Sequence, residues 1–286
     1  MQSVKPLRLK RETYRSTSKA DSHLVVNVWV DSGLSHLDGI YSYRCPNELI
    51  EKISIGSRLK VPFNSRSCEA LVVEIIEDSE AVDHYKVIES VLGNVPVANS
   101  AMIEFYRAMA KYWVSDPYSL IKFGIPSRVA SVEKITGAEP LKNSKKLNVS
   151  KKFPQNYFMM HTPHKSAYLE IVELTLERMK HGSTLLLLPD TKDIDRVLQI
   201  FLGKKIDFEV IRLDSSLPRA QRYENYLKSS LEKGVLVIGN RSALFAPMVN
   251  LNSVIVGFEK SEQYYEKKHP YWNTRDSAFC EHKLKI

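Results

Sequence analysis

Cysteine is scarce: Cys45, Cys68 and Cys280 lie far apart with no C-x-x-C spacing. That excludes a paired-cysteine zinc site and a disulfide framework, and it fits a reducing compartment. No apolar run approaches the roughly 20 residues that span a bilayer. The opening MQSVKPLRLKRETYRSTSKADS is basic but has no apolar core, so it reads as a flexible basic tail over residues 1–22 rather than a secretory signal. No repeat at a fixed period is present, and no amphipathic basic helix of the membrane-surface kind stands out. His36 and His84 are isolated, which argues against a metal role for either.

What is present is a globular balance. The 286 residues are 43% hydrophobic and 26% charged, enough for two ordinary domains with separate cores. Lysine and arginine number 41 against 33 acidic residues, a net charge of +8. This points to a polyanionic partner, nucleic acid rather than membrane, although an excess of lysine can also serve only solubility.

The hydrophobic pattern divides the chain. From Leu24 to about Val91 the apolar runs are short, β-branched and separated by turns (LVVNVWV, IYSY, RLKVPF, ALVVEII, KVIESVL), which predicts a small β-barrel or curled sheet. NSAMIEFYRAMAKYWV has helical spacing with Asn99 or Ser100 as N-cap. Residues 130–155 are lysine-rich and aperiodic and read as solvated linker. Beyond them strands alternate with helices. YFMMH, TLLLLPD, DFEVIRL, VLVIG and VIVG are the expected strands, which predicts a parallel sheet covered on both faces.

One stretch raises a chemical question. VLVIGNRSALFAPMVNLNSVIVGFEK places a loop between two apolar strands as an ATP-driven motor does, yet its second strand ends in Gly257-Phe258 where a motor needs carboxylates. The ordered segments HLDGIYSYRCP, GSRLKVPFNSRSCEALVVEI, YKVIESVLGNVPV and KYWVSDPYSLIKFGIPSRV, followed by LLLLPD, GNRSALFAP and EQYYEKKHPYWNTRD, resemble the PriA family, the bacterial replication restart proteins also called primosomal protein N-prime. The resemblance covers most of residues 24–128 and 183–278. It implies a mixed α+β and α/β architecture: a small β-barrel DNA-binding domain at 23–128, a linker at 129–155, and a degenerate, partial RecA-like helicase lobe at 156–286. The linker is too short for the winged-helix module of many members. The chain also stops soon after Asp276, ahead of the zinc-binding cysteines and second lobe that the family carries, so translocation is not expected.

The nucleotide site itself reads as degenerate. A phosphate cradle needs glycine's freedom and missing Cβ. MMHTPHKSA keeps only Lys165 and Ser166 of a G-K-[ST] ending, with His164 in place of the glycine and Pro163 beside it. Glu259 is the one acid left at the second strand's end. If the strand alternation continues, it lies roughly 6.6 Å beyond Gly257, too far along to replace a metal ligand. No ATP, magnesium or zinc is therefore expected as a cofactor. The alternative is an ATP-dependent helicase with unusual ligands.

The resemblance implies a pocket for a DNA 3′ end at Tyr41, Ser42, Asn64 and Lys86. Tyr41 would stack on a base and Lys86 would meet a phosphate, while Ser42 replaces the family's carboxylate and Asn64 its glycine. It implies a DNA backbone contact at Asn240, Arg241 and Ser242, and Lys267, Lys268 and His269 interleave with aromatics as single-strand binders do. Read for structure alone, Tyr41 is a half-buried strand residue, Lys86 an ordinary lysine and Arg241 the partner of a neighbouring carboxylate. The implied partners are branched DNA, primosome components and single-stranded DNA-binding protein, in a cytoplasmic, nucleoid-associated setting without membrane contact.

Overall fold

The computed structural model describes residues 24–77, 85–136, 156–161, 163–230 and 234–284. The basic tail and residues 137–155 of the expected linker lie outside the described residues.

The first half is a mixed six-stranded sheet of β1 (Leu24–Val30), β2 (Ile40–Arg44), β3 (Arg58–Phe63), β4 (Arg66–Glu77), β5 (Lys86–Val87) and β6 (Ser90–Leu92), in the order β5-β2-β1-β4-β3-β6. β5 and β6 are consecutive, yet β5 pairs with β2 and β6 with β3. One short segment therefore touches both edges, and the sheet curls toward a barrel. The alternating apolar residues of these strands make its interior, where Val26, Val28, Tyr43, Leu59, Val61 and Val72 form a buried cluster.

Three helices follow: α1 (Ser100–Tyr112), α2 (Pro117–Gly124) and α3 (Ala130–Thr136). The Asn99 side chain accepts the Met102 N–H and Asp116 accepts that of Ser119, with Pro117 opening α2, so side-chain oxygens cap both helix starts. α3 occupies the start of the expected linker. Its Val132 and Glu133 are buried, because a helix that is aperiodic by itself gains its partner from the second half.

The second half comprises α4 (Ala167–Met179), β7 (Ser183–Leu187), α5 (Thr191–Leu202), β8 (Glu209–Leu213), α6 (Arg219–Lys228), β9 (Val235–Gly239), β10 (Leu251–Val256) and α7 (Thr274–Leu284). Its four strands are parallel in the order β10-β7-β9-β8. β7 and β9, between helices on both faces, are buried throughout, as their unbroken apolar runs require.

The expected strand at 157–161 does not form. Tyr157, Phe158 and Met160 are 69%, 85% and 88% exposed, and β10 at the sheet edge pairs only with β7. A short apolar run does not distinguish a strand from an exposed segment, and this one lies along α4, with the Arg178 guanidinium over the Tyr157 ring and His161 Nδ1 2.9 Å from Glu170.

Each half has a buried cluster of its own, around Val28 and Leu59 in the first and Leu186 and Ile238 in the second, but the expectation of separate cores is incomplete. One apolar cluster takes Trp29, Leu71 and Val73 from the curled sheet, the buried faces of α1 and α2, and Leu187, Ile211, Val237, Phe245 and Trp272 from the second half. Phe245 is its hub. Its ring stacks on Tyr106 at 5.1 Å and 3°, and meets Trp272 at 5.1 Å and Phe105 at 5.8 Å. Gly124 permits this, since a Cβ there would lie 2.5 Å from Phe245 Cγ.

Candidate DNA-binding site

Strand geometry sets the four residues expected at the 3′-end pocket. Tyr41 and Tyr43 share one face of β2, turned toward the sheet's interior. The Tyr43 hydroxyl donates to Pro62 O at 3.2 Å, and the Tyr41 ring meets the edge of Phe63 at 4.8 Å. Asn64 follows Phe63 in a two-residue turn. Asn64 and Ser65 have φ of 45° and 61°, the left-handed pair that joins β3 to β4 and that asparagine tolerates. Lys86 is exposed and stands opposite Tyr43 in the register of β5 on β2. Tyr41 and Asn64 thus meet at Phe63, while Lys86 lies beside β2 only by the backbone register of β5.

Ser42 faces the other way. Its hydroxyl donates to Asn27 Oδ1 at 2.7 Å, and Asn27 Nδ2 donates to Glu74 at 2.9 Å, a polar row across β2, β1 and β4. Asn27 and Glu74 were not singled out in the sequence. The signal was there, since each interrupts an apolar run, in LVVNVWV and LVVEII. A cavity of about 110 Å³ opens nearby between the β1–β2 connection and α2, lined by Trp29, Asp31, Asp38, Asp116, Tyr118 and Lys122. Lys122 is bound to Asp31 at 2.6 Å, so the remaining acidic walls do not suit a phosphate.

At the crest of the parallel sheet, Asn240, Arg241 and Ser242 follow β9 as expected, but Arg241 is occupied. Its Nη1 donates to Tyr265 O at 2.8 Å, lies 3.3 Å from Glu266, and its guanidinium sits 5.9 Å over Phe123. The same loop carries the core: Ala243, Leu244 and Phe245 are each 1% exposed. The aromatic segment behaves alike. Trp272 is fully buried, and Tyr264 Oη lies 2.6 Å from Gly257 O and 2.9 Å from Leu187 O. Burial drives the Tyr264 hydroxyl well above the usual tyrosine range. The segment's exposed residues include Glu262, Gln263, Tyr265, Lys267, Lys268, Tyr271 and His269, whose Nε2 lies 3.6 Å from Asp116 Oδ2.

Around Gly257, where a motor would place its nucleotide site, the neighbouring side chains are apolar. β10 ends at Val256, and a turn with φ 53° at Phe258 follows, so strand alternation does not carry on to Glu259 as expected. Glu259 is exposed in that turn. Phe258 meets Tyr168 of α4 edge-on at 5.2 Å, and Tyr168 Oη donates to Asp193 at 2.6 Å. A Cβ on Gly257 would lie 2.9 Å from Leu188 Cδ2 and 3.1 Å from Ile171 Cδ1, so the position expected to carry a carboxylate in a motor is lined by leucine and isoleucine. Lys165 is exposed, and Ser166 precedes α4 without a side-chain capping bond.

Comparison with known proteins locates this arrangement. Residues 27–126 match the 3′ DNA-binding domain of PriA. A probable replication restart protein PriA of Mycobacterium tuberculosis is 24% identical over 265 residues, covering 85% of this chain and 40% of the relative. Replication restart protein PriA of Rickettsia conorii is 25% identical over 252 residues, covering 82% and 38%, and that of Rickettsia felis is 26% identical over 249 residues, covering 82% and 38%. The chain therefore spans about 40% of the length of the curated relatives it matches. Along most of its length the chain is similar to PriA replication restart proteins, and residues 27–126 match their 3′ DNA-binding domain.

Proposed function

We propose that this chain is a replication restart protein that binds stalled or abandoned replication forks through its curled sheet, assists assembly of the primosome and loading of the replicative helicase, and does not split ATP. The observation that carries this reading is that Tyr41 meets Phe63 beside Asn64, with exposed Lys86 on the strand next to β2, within the matched 3′ DNA-binding domain. A ring for base stacking and an exposed ammonium for phosphate are the parts a strand end requires. The second half is read as a RecA-like motor lobe kept as a scaffold. Its retained motifs are those buried in the shared core, while its phosphate cradle and metal ligand are gone. Removing one preorganised group from an active site commonly costs about 10²–10³ in rate, and several are missing here. Primosome components and single-stranded DNA-binding protein are its partners at the fork, in the nucleoid.

The test is fluorescence anisotropy on forks ending in a 3′-hydroxyl or a 3′-phosphate, across a salt series. Binding should weaken steeply with salt through counterion release. Tyr41→Ala should cost about 1–3 kcal/mol, the worth of one stacked base, and Lys86→Ala should lower the salt slope. Salt-insensitive binding, indifferent to both substitutions, rejects the reading. DNA-stimulated phosphate release from ATP, lost on Lys165→Ala, rejects its non-catalytic part.

A further inference from the structure

Four arginines, Arg212, Arg219, Arg222 and Arg241, lie on the elements that meet where β8 and β9 end, and three of these guanidinium groups are spent, that of Arg219 on Arg128 O at 2.9 Å. Leu213, last in β8, is the register partner of Gly239, last in β9. The two backbones run so close that a Cβ on Gly239 would stand 2.1 Å from Leu213 O. The residues that follow, Asp214 to Ser216 and Asn240 to Ser242, are therefore presented side by side. Arg241 is held by Tyr265 O and Glu266 beneath them. Arg212 is bound to Asp214 and, at 2.7 Å, to Asp195. Asp214 is itself fully buried and also accepts the Ser216 N–H at 2.7 Å, so its charge is already taken.

Arg222 differs. It sits near the start of α6, the helix that follows β8 and is fastened to that strand by Asn225 Nδ2 donating to Arg212 O at 2.9 Å. It is half-buried; its backbone N–H donates to Pro218 O at 2.9 Å, but among the described residues its guanidinium makes no hydrogen bond or ion pair. α6 has no carboxylate in its first turn to offset it. Burial holds the Arg222 guanidinium below its ordinary pKa, with Asp214, already engaged, acting weakly the other way. A cation partly stripped of water and left unpaired is costly, and a charge-assisted hydrogen bond to an incoming oxyanion removes that cost.

We infer that Arg222, rather than Arg241, is the guanidinium of the second half that meets a DNA phosphate, with Asn240 and Ser242 as neighbouring polar groups on the same crest. This assignment rests on the fork-binding function proposed for the chain. It gives the second half a contact of its own with the polymer, beside its role in holding the curled sheet.

The experiment is a salt titration of fork binding by the full chain and three variants. Arg222→Gln should lower the slope of log affinity against log salt by about one, the loss of one phosphate contact, and weaken binding alike across sequences. Arg222→Lys should keep most of the slope. Arg107→Gln, which removes an exposed arginine of α1 paired with Glu104 at 2.9 Å, should keep it entirely. A wild-type slope in Arg222→Gln overturns the assignment, and so does an equal fall in Arg107→Gln, which would signify net charge alone. Protection of the wild type, but not of Arg222→Gln, by inorganic phosphate against thermal unfolding, with DNA slopes equal, would mark a free-anion site and also overturn it. Wild-type binding that responds to Tyr41→Ala but not to Arg222→Gln rejects this inference alone. No salt-dependent binding by the wild type rejects the fork-binding function along with it.

Discussion

The Tyr223 hydroxyl of α6 donates to Glu133 Oε1 of α3 at 2.7 Å, in a buried site where Arg128 also grips the same carboxylate with two nitrogens at 2.8–3.0 Å. Arg58 of β3 completes the joint, its guanidinium 5.8 Å over the Tyr223 ring while it donates to Pro126 O at 2.6 Å. Elements from both halves are thereby bound through one polar node. Burial and the Glu133 carboxylate push the Tyr223 hydroxyl far above the usual tyrosine range. Tyr223→Phe should cost about 1.5–3 kcal/mol, the worth of a hydrogen bond to a charged group. The urea midpoint is expected to fall with an unchanged m-value.

Phe245 supports a harsher test. Its ring fills the space between α1, α2 and the Trp272 segment, so Phe245→Ala should cost about 3–5 kcal/mol, transfer and cavity together. Because the cavity opens in the core common to both halves, fork affinity should fall as well, although Phe245 is remote from Tyr41 in sequence. In the wild type, tryptophan fluorescence and far-ultraviolet circular dichroism should report coincident transitions. A curled sheet that stays folded while the second half melts would contradict the shared core.

Restoring a motor's carboxylate should fail. Gly257→Asp would place a charged group against Leu188 and Ile171, where no hydrogen-bond donor is at hand among their side chains. A buried polar group without a partner costs about 1–3 kcal/mol. The melting temperature is therefore expected to drop with no gain in DNA-stimulated phosphate release. Phosphate release from the variant would show that a single side chain separates this lobe from a working one.

Alkaline pH should destabilise the fold early. Burial pushes the Cys45 thiol up from 9.0 to about 11 and, with weaker contributions from neighbouring charges, the Tyr43 hydroxyl from 10.0 to about 12. Both groups ionise more readily in the unfolded chain, which then binds fewer protons than the native state. Stability is intact below pH 9 and falls from 9 to 12, with each group adding a slope of about −1.4 kcal/mol per pH unit between its two pKa values. Urea midpoints measured at pH 8, 9.5 and 10.5 test this. Cys45→Ala should flatten the fall between 9 and 11.

Much of the fold was legible because its strongest signals are local. Asn99 caps α1, and Gly203 closes α5 where the periodicity ends. The strand Val235–Gly239 is apolar throughout because both its faces are covered. The failures share a cause: they depend on distant partners. YFMMH has a strand's composition without a neighbouring strand to complete its hydrogen bonds. α3 looked solvated because Glu133 finds Arg128 and Tyr223 only in three dimensions. Glu259 was placed by an alternation that stops at Phe258. The pocket residues could be named from their order in the sequence, and the pairing of Arg241 with a neighbouring carboxylate was one reading of its loop, but not that Ser42 points to Asn27, nor that the Arg222 guanidinium is left open.

The position of the Phe245 ring also bears on heredity. Where one side chain is roof to one half and floor to the other, neither half can drift alone. If the chain acts at forks as proposed, lesions that abolish fork recognition should therefore scatter through this core, and a screen for lost restart would recover tryptophan and phenylalanine codons as often as those for the proposed strand-end residues.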